Sequence, residues 1–280
     1  MSYSPSHQYI EVPDTASPLR IVQFTDCHLS KNPGGRLLGM DTDHSVQAVI
    51  EQVRQDQFTP DLVLATGDLA DAGALEAYQR LRAYFDKLCP RQFWLPGNHD
   101  DCEVMLSLAE ADTLMPFELR VGNWQILLLN SQIPGKVGGH LGAEQLQRID
   151  QALNAAGDLG LHSLLCLHHQ PLPIGCEWLD EQKVRDGEEF LQIVEGHSHA
   201  KAVVWGHVHQ EVDRQLANCR LLATPSTCVQ FAPGSQDFQA DELPPGYRWL
   251  ELHSDGRLET GVSRVQGVTF ELNLQQRGYL

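Results

Sequence analysis

Five polar blocks in this 280-residue chain combine carboxylate, amide and imidazole groups at short spacing: Asp26-Cys27-His28, Gly67-Asp68, Asn98-His99-Asp100, His168-His169 and Gly206-His207-Val208-His209. The donors they offer a metal are Asp26, His28, Asp68, Asn98, His168, His207 and His209. Oxygen and imidazole ligands without thiolates suit Fe, Mn, Zn or Co. Two carboxylates, one amide and four imidazoles exceed what one tetrahedral site uses. They fill two adjacent sites if one carboxylate bridges. Two ions about 3.5–4 Å apart clamp the attacking and leaving oxygens of a displacement at phosphorus.

Taken singly, each block has a plainer explanation. Asp-x-His recurs by chance, and Gly-Asp is also a strand-end turn with a capping carboxylate. Asn98-His99-Asp100 reads equally as a solvated turn, and His168-His169 as one buried and one exposed imidazole. Their joint occurrence, each directly after an apolar run, is what points to one pocket. On an extended strand end, residues i and i+2 share a side. That predicts that Asp26 with His28, and His207 with His209, each grip a metal, while Cys27 points away as a small core residue. Gly196-His197-Ser198-His199 repeats the Gly-His-x-His pattern ten residues earlier. It follows the helix-like Phe190–Val194 and reads as a helix C-terminal glycine with solvated histidines.

The elements that must carry these blocks are strand-like runs. Leu19–Phe24 leads into the first block, Leu62–Thr66 into the second and Phe93-Trp94-Leu95 into the third. Pro96-Gly97 stops that third strand sharply. Leu161–Leu167 leads into the histidine pair and Ala202–Trp205 into the last block. Between them, Asp43 is placed to cap a helix with Val46, Val49, Ile50 and Val53 on one face. Leu75, Tyr78, Leu81, Phe85 and Leu88 mark a helix over about 74–88. Residues 102–115 and 142–156 read as helices, and another runs to about Glu195. Strands at 117–121 and 124–129 fit a hairpin turned at Gly122-Asn123. Further strands are expected at 219–223, 247–252 and 258–265. The proline-bearing segment Gln230–Gly246 reads as a surface loop or partial lid. The order β-α-β-α-β, then mixed elements, then mostly strands, predicts a layered α/β protein with two packed sheets. The expected division is a loose leader over 1–18, one domain over 19–265 and a polar tail over 266–280.

The formal net charge of −17 argues against a nucleic-acid polymer as partner, because phosphate-backbone binding needs a basic face. It leaves room for a small phosphate substrate, since bound cations invert the local field. The seven cysteines are odd in number and without paired spacing, which suits a reducing cytoplasm. No signal peptide and no membrane-length apolar run is read.

In order and type, the five blocks resemble the calcineurin-like metallophosphoesterase family over about residues 19–210. Trp178-Leu179-Asp180 and Thr224-Pro225-Ser226-Thr227-Cys228-Val229-Gln230-Phe231 narrow the resemblance to the bacterial class III 3',5'-cyclic-AMP phosphodiesterases. The resemblance implies a four-layer α/β/β/α sandwich, two mixed sheets flanked by helices, with metals at the sheet ends. It implies two metal ions, Fe and/or Mn, with Zn or Co as alternatives. Asp26, His28 and His209 would hold the first, Asn98, His168 and His207 the second, and Asp68 would bridge. His99 would be the catalytic proton donor and His169 a supporting residue. Substrate would lie against His28, Asp68, Asn98, His99, His168 and His209. The implied activity is hydrolysis of a small cyclic nucleotide, 3',5'-cyclic AMP, to 5'-AMP by a metal-bridging hydroxide. Glycerophosphodiesters, 2',3'-cyclic nucleotides and phosphomonoesters are alternative substrates, and a non-catalytic scaffold of the same fold is a further one. Arg36, Phe231 and Phe238 lie in loops that could reach a nucleotide or simply pack.

Overall fold

The computed structural model describes residues 9–12, 18–108, 111–276 and 278. Two mixed sheets face each other. The first has the order β16-β15-β2-β5-β6, with β2 Leu19–Phe24, β5 Leu62–Thr66, β6 Gln92–Leu95, β15 Gly246–Leu252 and β16 Leu258–Arg264. The second has the order β1-β7-β8-β9-β10-β12-β11. Its strands are β1 Tyr9–Val12, β7 Glu118–Val121, β8 Trp124–Leu128, β9 His162–Cys166, β10 Ala200–Trp205, β11 Val212–Leu216 and β12 Cys219–Ala223. Two small hairpins complete the strands: β3 Arg36–Leu37 with β4 Met40–Asp41, and β13 Gln230–Phe231 with β14 Ala240–Asp241.

Strand alternation sorts the side chains into layers. Leu19 and Ile21 of β2 join Leu62, Leu64, Leu164, Val204 and Leu250 between the sheets. Val22 and Phe24 of the same strand face α1 (Thr42–Gln55) and α2 (Leu75–Asp86), packing with Val46, Val49, Tyr78 and Phe85. On the far face, Leu165, Val203 and Trp205 pack with Leu146, Ile149 and Leu153 of α5 (Ala143–Asp158) and Phe190 of α7 (Gly187–Glu195). The layers therefore run helix, sheet, sheet, helix. Strands β2, β5 and β6 are parallel neighbours, as are β8, β9, β10 and β12. Every block of the sequence motif follows the carboxyl end of one of them, the edge where α/β sheets bind ligands.

Several expectations change. Tyr9–Val12, read as part of a loose leader, is a strand pairing in parallel with β7; residues 1–8 and 13–17 lie outside the described residues. The cap of α1 is Asp41, whose carboxylate accepts from the His44 N–H. Asp43 sits two places further on, within the first turn, and instead accepts from Arg80 and Tyr84. The stretch 102–115 is two short helices, α3 Cys102–Leu106 and α4 Ala111–Leu114. Within 171–186 a further short helix, α6 Glu177–Asp180, carries Trp178. The segment after β16 folds back on the β3–β4 hairpin, where the Asn273 N–H donates to the Leu38 carbonyl. The Gln230–Gly246 segment contains the β13–β14 pair.

A polar belt crosses the otherwise apolar layer between the sheets near the motif ends. Gln23 Nε2 donates to Thr66 Oγ1 and to the Trp205 carbonyl, and Thr224 Oγ1 donates to Gln23 Oε1 at 2.6 Å. Beside it Arg248, cross-strand from Gln23, donates to the Ala223 carbonyl. Burial pushes its guanidinium down to about 10. The belt rivets the two strand ends together immediately before they release the functional blocks.

Candidate metal centre

The five blocks meet at one place, and three glycines make the approach possible. A Cβ on Gly206 would stand 1.9 Å from Thr25 Oγ1, and one on Gly97 would stand 2.2 Å from Asp68 Oδ1. One on Gly67, where φ is +94°, would stand 2.4 Å from His168 Nδ1. Backbone bonds then join the blocks. The Asp26 N–H donates to the Gly67 carbonyl, the His28 N–H to the Asp68 carbonyl, and the Gly206 N–H to the His168 carbonyl. The His207 N–H donates to both Asp26 carboxylate oxygens, at 3.1 and 3.0 Å.

Asp26 and His28 do converge, but strand alternation is not the reason, and the second pair divides: His207 gathers with His168 and His169, and His209 with Asp26 and His28. Asp26, His28, His207 and His209 all have positive φ, 54°, 47°, 64° and 48°, and Asp68 joins them at 51°. Left-handed backbone costs a non-glycine residue roughly 1–3 kcal/mol, and it gathers where surrounding structure over-determines it. Here the chain turns the same way at positions i and i+2. Cys27 between them is buried in the helix-side core.

Donor atoms of Asp26, His28 and His209 lie within 4.8 Å of one another, as do those of Asp26, Asp68 and His168. His209 Nε2 is 3.2 Å from Asp26 Oδ1 and 3.4 Å from His28 Nε2. His168 Nε2 is 3.2 Å from Asp68 Oδ2. Neighbouring carbonyls set the tautomers. His168 Nδ1 donates to Thr66 O at 2.9 Å and His209 Nδ1 to Val229 O at 2.7 Å, which leaves each Nε2 with its lone pair toward the pocket. Phe231 stacks on the His209 ring, 4.1 Å between centroids and 10° between planes.

These residues fit a pair of cations. His207 Nε2 and Asn98 Oδ1 are buried with no hydrogen-bond partner, and such orphaned groups need an explanation such as a bound ion. The charge states also suit ligands. Burial pushes Asp26 and Asp68 up, yet the histidines beside them hold both carboxyls below the usual range. Burial, with His99 close by, holds His28 down to about 3, and burial with His169 holds His207 well down. Burial opposes a proton on His168, but Asp68 carries it up to about 9, so a cation there would displace that proton.

His169 lies within reach of His168 and His207, but both its nitrogens are occupied. Nε2 donates to the Val137 carbonyl at 2.9 Å and Nδ1 contacts Ser131 Oγ at 2.8 Å. It braces the second sheet's end. His99 stands at the rim. Its backbone N–H donates to Asp68 Oδ1 at 2.8 Å, and its Nδ1 is 3.9 Å from Asp71 Oδ1. Of the loop candidates, Phe231 is buried against His209, while Phe238 and Trp178 lie edge-on to it. Arg36 pairs with Glu271 on the surface.

The sequence reading missed the braces. Asp100 accepts from the Leu69, Ala70 and Gly97 N–H groups and from Tyr78 Oη. Burial, then the charge of Asp68, pushes its carboxyl up to about 6. Ser226 Oγ donates to the Asp26 carbonyl at 2.8 Å, so the Thr-Pro-Ser turn supports the first block's backbone. Adjacency to the Asn-His pair was the available signal for Asp100, and Ser226 stood in the Thr-Pro-Ser stretch with no role read for it; nothing local marked Gln23.

The sequence profile of calcineurin-like phosphoesterases matches residues 19–211. Over 272 residues the chain is 45% identical to the 3',5'-cyclic adenosine monophosphate phosphodiesterase CpdA of Pseudomonas aeruginosa, covering 97% of this chain and 99% of that one. It is 42% identical to the protein of that name from Escherichia coli K12, covering 93% and 95%. Among solved structures, a dimetal phosphatase from Danio rerio superposes with a TM-score of 0.62 at 14% identity, covering 89% of this chain and 100% of that one. A purple acid phosphatase from yellow lupin superposes with a TM-score of 0.67 at 15% identity, covering 93% and 54%. At those identities the structures speak to fold alone. No helix among the described residues is long and apolar enough to cross a membrane.

Proposed function

The chain belongs to the calcineurin-like phosphoesterase family, and from that premise we propose that it hydrolyses 3',5'-cyclic AMP to 5'-AMP with two metal ions. The observation that carries the substrate is near full-length similarity, 45% over 97% of the chain, to a protein named as a cyclic-AMP phosphodiesterase. In this reading Asp26, His28 and His209 would hold one ion, Asn98, His168 and His207 the other, with Asp68 shared between them. The close donor groups and the orphaned buried atoms support it. The nitrogen and oxygen donors, with no thiolate among them, suit iron, manganese, zinc or cobalt, and the family resemblance favours the first two. Seven free cysteines favour a reducing compartment, the cytoplasm.

When bound, the two cations supply positive charge for the phosphoryl oxygens and lower the pKa of water toward neutrality. The chain does the rest. Val229 and Thr66 carbonyls keep His209 and His168 aimed with Nε2 inward. Asn98 and His99 would stabilise the equatorial oxygens, where negative charge grows. His99 gives its proton to the departing 3'-oxygen, with Asp71 beside Nδ1 to orient the ring. Water oxygen adds to phosphorus as the P–O3' bond breaks, and the phosphate stays on the 5'-oxygen.

The test is steady-state hydrolysis of cyclic AMP by chelator-stripped protein reloaded with Mn(II) or Fe(II), with product identification. Formation of 5'-AMP is expected. Cleavage of bis(p-nitrophenyl) phosphate without cleavage of cyclic AMP would keep the metal site and overturn the substrate.

A further inference from the structure

One side chain outside every block holds the turn that carries Asn98 and His99. Gln132 lies in the loop after β8, in the seven-stranded sheet, whereas the turn 97–100 follows β6 in the other. Gln132 Nε2 donates to the Gly97 carbonyl and to the Asp100 carbonyl, each at 2.6 Å. An amide nitrogen has two N–H donors, and both are used on the carbonyls that bracket Asn98 and His99. Gln132 is itself fixed. Its Oε1 accepts from Cys102 Sγ at 3.0 Å, and its backbone N–H donates to Asn130 Oδ1 at 2.9 Å. Asn130 is pinned in turn to α5, exchanging hydrogen bonds with the Gln145 side chain through its backbone N–H and carbonyl.

The two braces on this turn do different jobs. Asp100 ties the turn to the neighbouring turn of its own sheet, at Leu69 and Ala70. Gln132 ties it to the opposite sheet, whose β9 and β10 ends carry His168, His207 and His209. The backbone N–H of His99 is already engaged by Asp68. Where its ring points relative to groups on the opposite sheet therefore depends on the pitch of the turn, and Gln132 is the brace that ties that turn to the opposite sheet. A proton donor works only within about 2.6–3.2 Å of its acceptor, and a misplacement of about 1 Å costs on the order of a hundredfold.

We propose that Gln132 is a positioning residue for the proton-donor step, holding the 97–100 turn so that the His99 imidazole meets the departing oxygen. The inference rests on the role given to His99 above. The test uses leaving groups. A 3'-alkoxide needs a proton as it departs, whereas p-nitrophenolate leaves without one. Wild type, Gln132→Glu and Gln132→Met are compared as manganese-loaded holoenzyme, with metal content and melting temperature recorded. Glu keeps the shape and the acceptor for Cys102 but has no N–H donors; Met has neither donors nor charge and carries the test if Glu misfolds.

Both variants are expected to keep wild-type metal content and to lose roughly 10–100-fold in kcat on cyclic AMP. KM, and kcat on bis(p-nitrophenyl) phosphate, should stay within about threefold. In His99→Ala, adding Gln132→Glu should cost nothing more on cyclic AMP, since the group it positions is gone. Equal loss on both substrates, loss of metal, no loss at all, or additive losses in the double variant would each overturn the proposal. Wild type that cleaves other alkyl phosphodiesters but not cyclic AMP would instead overturn the substrate reading. The same ratio, taken on a glycerophosphodiester, then judges Gln132.

Discussion

Two tetrapeptides of one pattern lie ten residues apart in this chain, Gly196-His197-Ser198-His199 and Gly206-His207-Val208-His209. The first closes α7 and docks on α5. His197 Nε2 lies 2.9 Å from Asp150 Oδ1, and His199 Nε2 donates to the Leu153 carbonyl at 2.9 Å. They are partly buried helix-packing residues, not the solvated pair that the sequence suggests. The second closes β10 at the parallel core of its sheet. There both histidines are left-handed, His207 Nε2 has no hydrogen-bond partner, and His209 is stacked, tethered and aimed. Identical residue types become packing in one place and metal-ready donors in the other. The preceding element decides, because it determines which atoms are already satisfied.

The largest effect that separates the two regions is expected from His209→Ala. It leaves only Asp26, His28 and the shared Asp68 of the donors assigned to that end of the pocket. Removing a ligand's outer partner typically costs 10–100-fold in metal affinity. Losing the ligand should therefore cost about a hundredfold or more. Metal content after dialysis and kcat/KM on cyclic AMP should fall together, while His199→Ala keeps both. Full retention of metal by His209→Ala would erase the distinction drawn between the tetrapeptides.

Next in size is Gly206→Ala. The new Cβ meets Thr25 Oγ1 at 1.9 Å and Asp26 Oδ2 at 2.6 Å, so either the β2 end or the β10 end must move. Overpacking of this kind costs about 1–3 kcal/mol, and here the shift falls on a ligand. Melting temperature and activity should both drop, activity further than the stability loss alone explains. A variant that is destabilised but fully active would show that the glycine serves packing only.

How far the sequence could be read follows from the same contrast. Which strands end in polar blocks was legible, because apolar runs and their stops are local signals; so were two packed sheets, from the order of the elements, while the four layers came from the family resemblance. The aim of the side chains was legible only in outcome. Alternation on an extended strand was the wrong cause, since the backbone at Asp26, His28, His207 and His209 is left-handed, not extended. The braces were not legible. Gln23 meets Thr224, Ser226 meets Asp26, and Gln132 meets Gly97 over separations of 201, 200 and 35 residues. No pattern within one segment encodes such partners. Asp43 shows the error at small scale: a capping residue was visible two places from the real cap, Asp41, because both are acidic and only the fold shows which carboxylate Arg80 claims.

On the packing side the effects should be modest. His197→Ala removes the contact with Asp150, which is half exposed, and should cost about 0.5–1.5 kcal/mol without touching metal content. Urea midpoints with an unchanged slope would check it. A loss of metal there would mean that the α7 end communicates with the pocket.

The smallest effect, and the sharpest contrast with Gly206, belongs to Gly196→Ala. Gly196 has φ −64° and ψ −15°, ordinary right-handed backbone that alanine adopts without strain. At such a site the substitution narrows the unfolded ensemble and stabilises by about 0.4–1 kcal/mol. Against that, the added Cβ would lie 3.2 Å from the Ile193 carbonyl oxygen, a tight contact that a small shift at the helix end relieves. The two terms oppose, so the net change should stay within about 0.5 kcal/mol, with metal content and kcat unchanged. A loss as large as that of Gly206→Ala would mean that both glycines are kept for steric reasons, and that the difference between the tetrapeptides lies in their histidines alone.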